Sequence, residues 1–199
     1  MPFNPQKHHR RSIRLRGYDY TRPGAYFVTI CTQDRSNVFG EIIDGEMHLS
    51  LVGQIVNNYW PLASDHFSNV EISQFIVMPN HVHAIITIHE PPPGMVSTPA
   101  IGRGVVSTPK QGRETLPLPD LGQIVAYYKY QTTKQVNQQN NNPGVRLWQL
   151  NYYERIVRSE DELHRFSNYI LSNPQRWSSD ILNPSSPSNQ LGREPYKSV

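Results

Sequence analysis

The chain of 199 residues lacks long hydrophobic runs and is almost without cysteine. None of its apolar stretches approaches the roughly 20 residues of a membrane-spanning helix, so we expect no membrane association. The single cysteine, Cys31, excludes an internal disulfide and is predicted to be a buried small hydrophobe within a strand. The basic amino terminus is not followed by an apolar signal core. These absences favour a cytoplasmic protein, and the length of 199 residues is enough for one domain with a sizeable core.

Acidic residues are missing from the start of the chain, where the first acid is Asp19. Residues 1–16 are therefore predicted to form a flexible basic arm. Such an arm suits a phosphate backbone, because each neutralised phosphate releases counterions. A solvated tail without a ligand is the alternative. The arginines of the arm that we predict to contact DNA are Arg10, Arg11, Arg14 and Arg16.

Two further segments are predicted to lie outside the regular structure. Residues 91–119 open with three prolines and contain a ten-residue repeat, 94–103 followed by 104–113. Such a Pro- and Gly-rich stretch without periodicity predicts a mobile loop. The loop interrupts a predicted domain over 17–178, and residues 179–199 are predicted to be a disordered tail.

Hydrophobic periodicity and turn residues predict the remaining elements. Asp44-Gly45 is predicted to turn a hairpin over 39–49, and Ser50 to cap a helix that ends near Pro61. The other predictions are strands over 25–32, 70–77 and 82–89, a helix over 121–137, a strand within 147–157, and a helix from a Ser159–Glu162 capping box to about Ser172, before Asn173-Pro174.

Without the hairpin and the last helix, this order is βαββαβ, the split βαβ pattern of ferredoxin-like domains. The predicted fold class is therefore α+β, with an antiparallel sheet that carries two helices on one face. The other face is free for a ligand or for the additional C-terminal helix.

His81 and His83 stand at the head of the strand predicted over 82–89. Alternating side chains point to opposite faces of a strand, so both imidazoles face the same side while Val82 faces the other. Two imidazoles on one face can hold a divalent metal. A lone pair of this kind is more often used for packing or hydrogen bonding.

Tyr169 and Asn173 are neighbours on the final helix because they are four residues apart. They flank an apolar stripe and are predicted to sit, partly exposed, at the edge of its contact with the sheet. There the amide oxygen could complete a metal site and the phenol could act as a nucleophile. By chemistry alone the alternative nucleophiles are Tyr127, Tyr128, Tyr152 and Tyr153.

Three blocks in this order resemble the single-tyrosine HUH transposases, and among them the REP-associated tyrosine transposases. The blocks are Met78-Pro-Asn-His-Val-His83, Trp148-Gln149-x-x-Tyr152-Tyr153-Glu154-x-Ile156-x-Arg158 and Tyr169-Ile-x-x-Asn173-Pro174. The resemblance covers about residues 10–178 outside the 91–119 loop.

The resemblance implies that His81, His83 and Asn173 hold Mg²⁺ or Mn²⁺, which polarises a phosphate of single-stranded DNA. Tyr169 would attack that phosphate, form a 5′-phosphotyrosine link and release a 3′-hydroxyl. The implied substrates are REP-type DNA hairpins, and a monomer is expected rather than a dimer. Physical chemistry agrees, since a phenol with a pKa near 10 needs activation at neutral pH.

Lys129 and Lys134 on the helix over 121–137 are further candidates for contact with the DNA backbone, although a solvated face is an equal alternative. Two other functions remain open. One is a non-catalytic hairpin DNA- or RNA-binding module with the same fold. The other is a metal-dependent phosphodiesterase that uses water, for which no general base is evident.

Overall fold

The computed structural model describes residues 17–90 and 119–187. The predicted arm with its four arginines lies outside these residues, as do 91–118 of the predicted loop and 188–199 of the predicted tail. The elements are β1 Gly24–Cys31, β2 Gly40–Ile43, β3 Glu46–Leu49, α1 Leu51–His66, β4 Val70–Met78, β5 His81–Ile88, α2 Leu121–Gln139, β6 Tyr153–Val157, α3 Glu160–Ser172 and a 3₁₀ helix Pro174–Ser179.

Four strands form one antiparallel sheet in the order β4-β5-β1-β6. In this order β1 and β4 are parallel with β5 between them, which is the split βαβ arrangement. The predicted α+β ferredoxin-like class and the predicted element order are confirmed. The central strands β1 and β5 are almost completely buried because helices cover both faces of the sheet.

The hairpin β2–β3 is also confirmed. Its two-residue turn places Asp44 at φ 52° and Gly45 at φ 81°. Two successive positive φ values are what a type I′ turn requires, and Asp-Gly is a favoured pair for it.

Helix α1 begins as predicted but ends later. The Ser50 side chain accepts a hydrogen bond of 3.0 Å from the backbone N–H of Gly53, which caps the helix. The predicted end near Pro61 is wrong, since the helix continues to His66 with the proline inside it. Burial of Trp60 and Ala63 on either side of Pro61 outweighs the lost hydrogen bond.

Helices α1 and α2 pack against one face of the sheet and enclose the larger core. At its centre the rings of Trp60 and Tyr128 stack at 3.8 Å. Val82 points into this layer, as predicted. None of the helices within residues 17–90 and 119–187 has the length and hydropathy needed to cross a bilayer.

Helix α3 covers the opposite face through the predicted apolar stripe, Leu163, Phe166 and Ile170, which packs on Phe27 and Ile85. The Ser159 hydroxyl accepts from the Glu162 N–H at 3.2 Å. In a complete capping box the Glu162 carboxylate would accept from the N–H of Ser159. It accepts instead from the N–H of Arg158, at 2.9 Å. This carboxylate thereby ties the end of β6 to the start of α3.

The chain does not become a disordered tail after residue 178. Asn173 keeps helical backbone angles and leads into the 3₁₀ helix, and the following turns bury Leu182 and Ser186. We call residues 174–187 the C-terminal return. The predicted tail boundary at 179 is therefore wrong for residues 179–187, because their apolar side chains and turn hydrogen bonds hold them against the domain.

Candidate metal centre and tyrosine

The two histidines lie at the start of β5, on the face that α3 covers. Both are buried, and their Nε2 atoms are 3.0 Å apart. The predicted common orientation of His81 and His83 is therefore confirmed. The paired strand β1 contributes Phe27, whose ring stacks on His83 at 5.3 Å.

Hydrogen bonds at the far side of each ring define which nitrogens face the centre. The Asn80 amide nitrogen donates to the carbonyl oxygens of Arg35 at 3.0 Å and Leu182 at 2.8 Å. The Asn80 oxygen therefore faces His81 Nδ1 at 2.8 Å, and that nitrogen must donate. The Nε2 atom of His81 therefore carries a lone pair, which faces His83 Nε2 at 3.0 Å. His83 Nδ1 pairs with the Thr29 hydroxyl at 2.8 Å.

Both imidazoles are held in the neutral form. Burial lowers the pKa of His81 well below its usual value, and the neighbouring His83 lowers it further. Burial likewise lowers the pKa of His83 to about 3, against a smaller opposing effect of the Val28 backbone. Neutral imidazoles with oriented Nδ1 partners are the arrangement found in protein metal sites.

Tyr169 brings its phenol from α3 to this pair. Its ring contacts that of His83 at 5.1 Å with an interplanar angle of 67°. Burial raises the pKa of the Tyr169 phenol to about 12, and the negative charge of Asp180 contributes to the rise. Asn173 and Arg176 oppose that rise. The phenol is therefore protonated at neutral pH and needs local positive charge to become a nucleophile.

Asn173 is next to this phenol but is not at an exposed edge. The prediction of partial exposure is wrong, because the side chain has no solvent-accessible area. The C-terminal return covers it. Neither its amide nitrogen nor its amide oxygen has a hydrogen-bond partner. A buried amide without partners is unfavourable, so this position fits a polar ligand.

Sequence reasoning missed Asp180, which caps the 3₁₀ helix. One ligand atom each from His81, His83 and Asp180 lie within 4.8 Å of one another, and all three residues are buried. Burial raises the pKa of the Asp180 carboxyl, while the Leu182 N–H and Asn173 oppose the rise. The apolar pair Ile181-Leu182 was the available signal, since it indicates packing rather than a solvated tail.

The alternative tyrosines occupy other places. Tyr128 is buried in the opposite layer, where its hydroxyl donates to Val56 O at 2.9 Å, and Tyr127 stacks on His66 at 4.0 Å. Tyr152 packs against the larger core. Tyr153 is different, because its strand register with Thr29 places it on the same face as His83, one strand further away.

The structure does not bring the two candidate lysines to the tyrosine, because α2 lies on the other face of the sheet. The Lys129 ammonium donates to the carbonyl oxygens of residues 149–151 at 3.0, 3.4 and 3.1 Å. Lys134 is exposed and lines an open groove with Arg146 and Gln149. Lys129 thus has a structural role that its sequence position did not indicate.

A second open cleft reaches Tyr169 itself. Besides the tyrosine, it is lined by Asp161, His164, Arg165, Asn168, Ser172 and Arg176. Three of these side chains are basic, and the arginines Arg165 and Arg176 are exposed. The cleft is a route by which an extended anion can approach the phenol.

This chain is similar to known proteins in sequence and in structure. No family model matches it. A protein of Haemophilus influenzae described as uncharacterized is 37% identical over 180 residues, which cover 90% of this chain and 96% of the relative. A REP-associated tyrosine transposase bound to a REP hairpin is 18% identical, with a TM-score of 0.48 over 82% of this chain and 73% of that chain. A Deinococcus radiodurans protein assigned to the transposases is also 18% identical, with a TM-score of 0.38 over 79% and 95% of the two chains.

Proposed function

This chain belongs to the same protein family as the Haemophilus influenzae protein, and we propose that it is a single-tyrosine HUH transposase of the REP-associated kind. Its activity would be metal-dependent cleavage and transfer of single-stranded DNA at hairpins, through a 5′-phosphotyrosine intermediate. The observation that carries this proposal is the contact between the Tyr169 and His83 rings at 5.1 Å beside two facing imidazole nitrogens.

The residues fit a divalent cation. Two neutral imidazoles present Nε2 atoms 3.0 Å apart, and the nearby amide of Asn173 has no partner of its own. His81, His83 and Asn173 are the ligands that the family resemblance implies, with Mg²⁺ or Mn²⁺ as the metal. Such a cation supplies Lewis-acid stabilisation of charge on a phosphate oxygen.

Tyr169 supplies the nucleophile of the proposed covalent step. The phenol oxygen of Tyr169 forms a bond to phosphorus and loses its proton, while the bond from phosphorus to the 3′ oxygen breaks. That oxygen takes up a proton and leaves as a free 3′-hydroxyl. The phosphodiester is conserved as a phosphotyrosine, so a second 3′-hydroxyl can reverse the step and join strands without ATP.

Binding of the DNA is assigned to the basic surfaces. The cleft beside Tyr169 carries Arg165 and Arg176, which suit the backbone of an extended single strand. Contacts by Arg10, Arg11, Arg14 and Arg16 of the arm and by Lys134 remain predictions. Each contact that neutralises a phosphate is expected to add to the salt dependence of binding.

The test uses single-stranded hairpins taken from DNA that flanks the gene, labelled at either end, with Mn²⁺ or Mg²⁺. A denaturing gel should show a metal-dependent protein–DNA adduct that disappears in Tyr169→Phe and His81→Ala. Tyr153→Phe is the matched control, because this tyrosine lies on the same face of the sheet. Hairpin binding should persist in Tyr169→Phe.

Each alternative has its own outcome in this assay. An adduct that survives Tyr169→Phe but is lost in Tyr153→Phe would refute the assignment of the nucleophile. Free cleavage products without an adduct would favour a phosphodiesterase that uses water. Binding of equal strength with and without metal, and no cleavage of any flanking hairpin, would favour the non-catalytic binding module.

A further inference from the structure

We infer that Asp180, and not Asn173, is the third protein ligand of the metal, so that two imidazoles and one carboxylate hold the ion. This inference rests on the proposed function, because it names the donor that completes the same centre. The ligand comes from the C-terminal return, a segment in which the sequence indicated no site. The inference therefore gives the C-terminal return a role in metal binding.

The positions of the donor atoms fit one ion. Ligand atoms about 2.1 Å from a metal and at right angles to each other are about 3.0 Å apart. The Nε2 atoms of His81 and His83 have that separation, 3.0 Å, which is also the length of the hydrogen bond between them in the absence of a metal. An Asp180 oxygen lies within 4.8 Å of a ligand atom of each histidine. A small movement of the carboxylate would therefore bring all three donors into one coordination sphere.

The charge of Asp180 needs a partner. The residue is only 9% exposed, and among residues 17–90 and 119–187 no cationic side chain forms an ion pair with it. One oxygen accepts from the Leu182 N–H at 2.6 Å. The Asn173 amide also favours the charged form, but neither group carries a positive charge, and a divalent cation beside the carboxylate would reduce the cost of its burial.

Asn173 supplies an independent indication of a polar occupant. Its amide is buried and lies close enough to the Tyr169 phenol and the Asp180 carboxyl to lower the pKa of both, but neither of its polar atoms makes a hydrogen bond of good geometry. Such an amide is satisfied when an ion with its bound water, or a phosphate, occupies the space that it faces.

The return holds Asp180 in a defined position. The Leu182 carbonyl accepts from Asn80, the residue that also orients His81. Asn183 donates to the Trp177 carbonyl at 2.9 Å, and the Trp177 ring lies 6.0 Å from that of His81. The carboxylate and the first imidazole are therefore positioned by one hydrogen-bonded unit.

An anionic oxygen changes which ions the centre prefers. Two imidazoles alone favour borderline transition metals, whereas a carboxylate raises affinity for harder ions such as Mn²⁺ and Mg²⁺. Three protein donors leave other positions of an octahedron open for phosphate oxygen and water. Asp180 would thus make the site suited to the ions that phosphoryl transfer uses.

The experiment measures Mn²⁺ binding by the full chain without DNA, by titration calorimetry and by the electron paramagnetic resonance signal of free Mn²⁺. Asp180→Asn keeps the acceptor for the Leu182 N–H but removes the charge. We expect its Kd for Mn²⁺ to rise by about tenfold or more. Asp65→Asn is the matched control, since Asp65 is exposed on α1 and should leave the Kd unchanged.

Thermal unfolding separates a lost ligand from a lost fold. Without metal, Asp180→Asn should melt at or above the wild-type temperature, because it removes a buried charge that has no cationic partner among the described residues. With Mn²⁺, the wild type should gain stability and this variant should gain less. If Asp180→Asn does not fold, Asp180→Glu and Asp180→Ala are compared instead. Asp180→Glu keeps a carboxylate and should retain more affinity for Mn²⁺ than Asp180→Ala.

Other results would overturn the inference. If Asp180→Asn binds Mn²⁺ as tightly as the wild type, Asp180 is not a ligand, and the proposed function stands as long as the adduct still depends on metal and Tyr169. If the wild-type chain binds no Mn²⁺ without DNA, the preformed three-ligand centre is refuted. The adduct assay then judges the proposed function separately.

Discussion

Asn80 Nδ2 donates a hydrogen bond of 2.8 Å to the carbonyl oxygen of Leu182, 102 positions further along the chain. The oxygen of the same side chain accepts from His81 Nδ1 at 2.8 Å. One amide thus links the strand that carries the imidazoles to the C-terminal return. Its oxygen orients the His81 ring, and its nitrogen anchors the C-terminal return.

Replacing this amide should affect both metal binding and stability. Asn80→Ala removes the acceptor that orients His81, so we expect the Kd for Mn²⁺ to rise about 10- to 100-fold. It also leaves the Leu182 carbonyl without its donor, which should lower the free energy of unfolding by about 1–3 kcal/mol. Calorimetry and urea unfolding measure the two effects, with the exposed Asn142→Ala as control. Unchanged Mn²⁺ affinity would contradict the orienting role.

The two candidate lysines on α2 should behave differently when each is changed to methionine. Lys129→Met deprives three carbonyl oxygens of their shared donor. We expect a loss of about 1–3 kcal/mol in the free energy of unfolding. Lys134→Met, at an exposed position on the same helix, should change it by less than about 0.5 kcal/mol. Equal effects in urea unfolding would show that the carbonyl contacts contribute nothing.

Gly53→Ala tests whether packing overrides helix propensity in α1. Propensity alone predicts a gain of about 1 kcal/mol for alanine. A Cβ at this position, however, would overlap the carbonyl oxygen of Phe39, which also accepts from the Ser50 N–H at 2.8 Å. We therefore expect a loss of about 1–3 kcal/mol in urea unfolding. Gln54→Ala, exposed on the same helix, is the control and should show no loss.

Glu162 should make stability depend on pH in the acid range. The Arg158 N–H, followed by Arg155 and Arg165, lowers the pKa of this carboxyl below its usual 4.5. The folded state therefore binds fewer protons, and the stabilisation is fully present above pH 4.5 and lost as pH falls through the lowered value. Wild type should exceed Glu162→Gln in urea midpoint at neutral pH, and the two should converge well below pH 4.5. A difference in urea midpoint between wild type and Glu162→Gln that does not change with pH would refute this origin of the pH dependence. An equally large difference for the exposed Glu41→Gln would refute it as well.

Local patterns were sufficient to predict much of the fold. Asp44-Gly45 has the backbone preference of a tight turn, and the alternation of His81, Val82 and His83 fixes their faces in any strand. The end of α1 could not be predicted, because a proline signal is local whereas the burial of Trp60 depends on the sheet. The common face of the two imidazoles and the place of Tyr169 beside them could be predicted from the sequence, while their roles remain predictions.

The remaining site features depend on contacts between distant segments. Asp180 is three residues from Asn183 in a stretch rich in Asn, Pro and Ser, a composition typical of loops. Its approach to His81 requires the return to fold back across the domain. The bonds of Lys129 to residues 149–151 are likewise invisible in a helical pattern, because the acceptors belong to another part of the chain.

The span of the Asn80–Leu182 hydrogen bond bears on the order of events in folding. Contacts between segments far apart in sequence require closure of a long loop, so they are expected to form after hairpins and helices. The strands β4, β5 and β1 can therefore pair before the return folds, whereas β6 and α3 pack on residues still further away in the sequence. Under the proposed function, a partly folded molecule would hold its imidazoles without Tyr169 and Asp180, and DNA would meet a reactive centre only in fully folded chains.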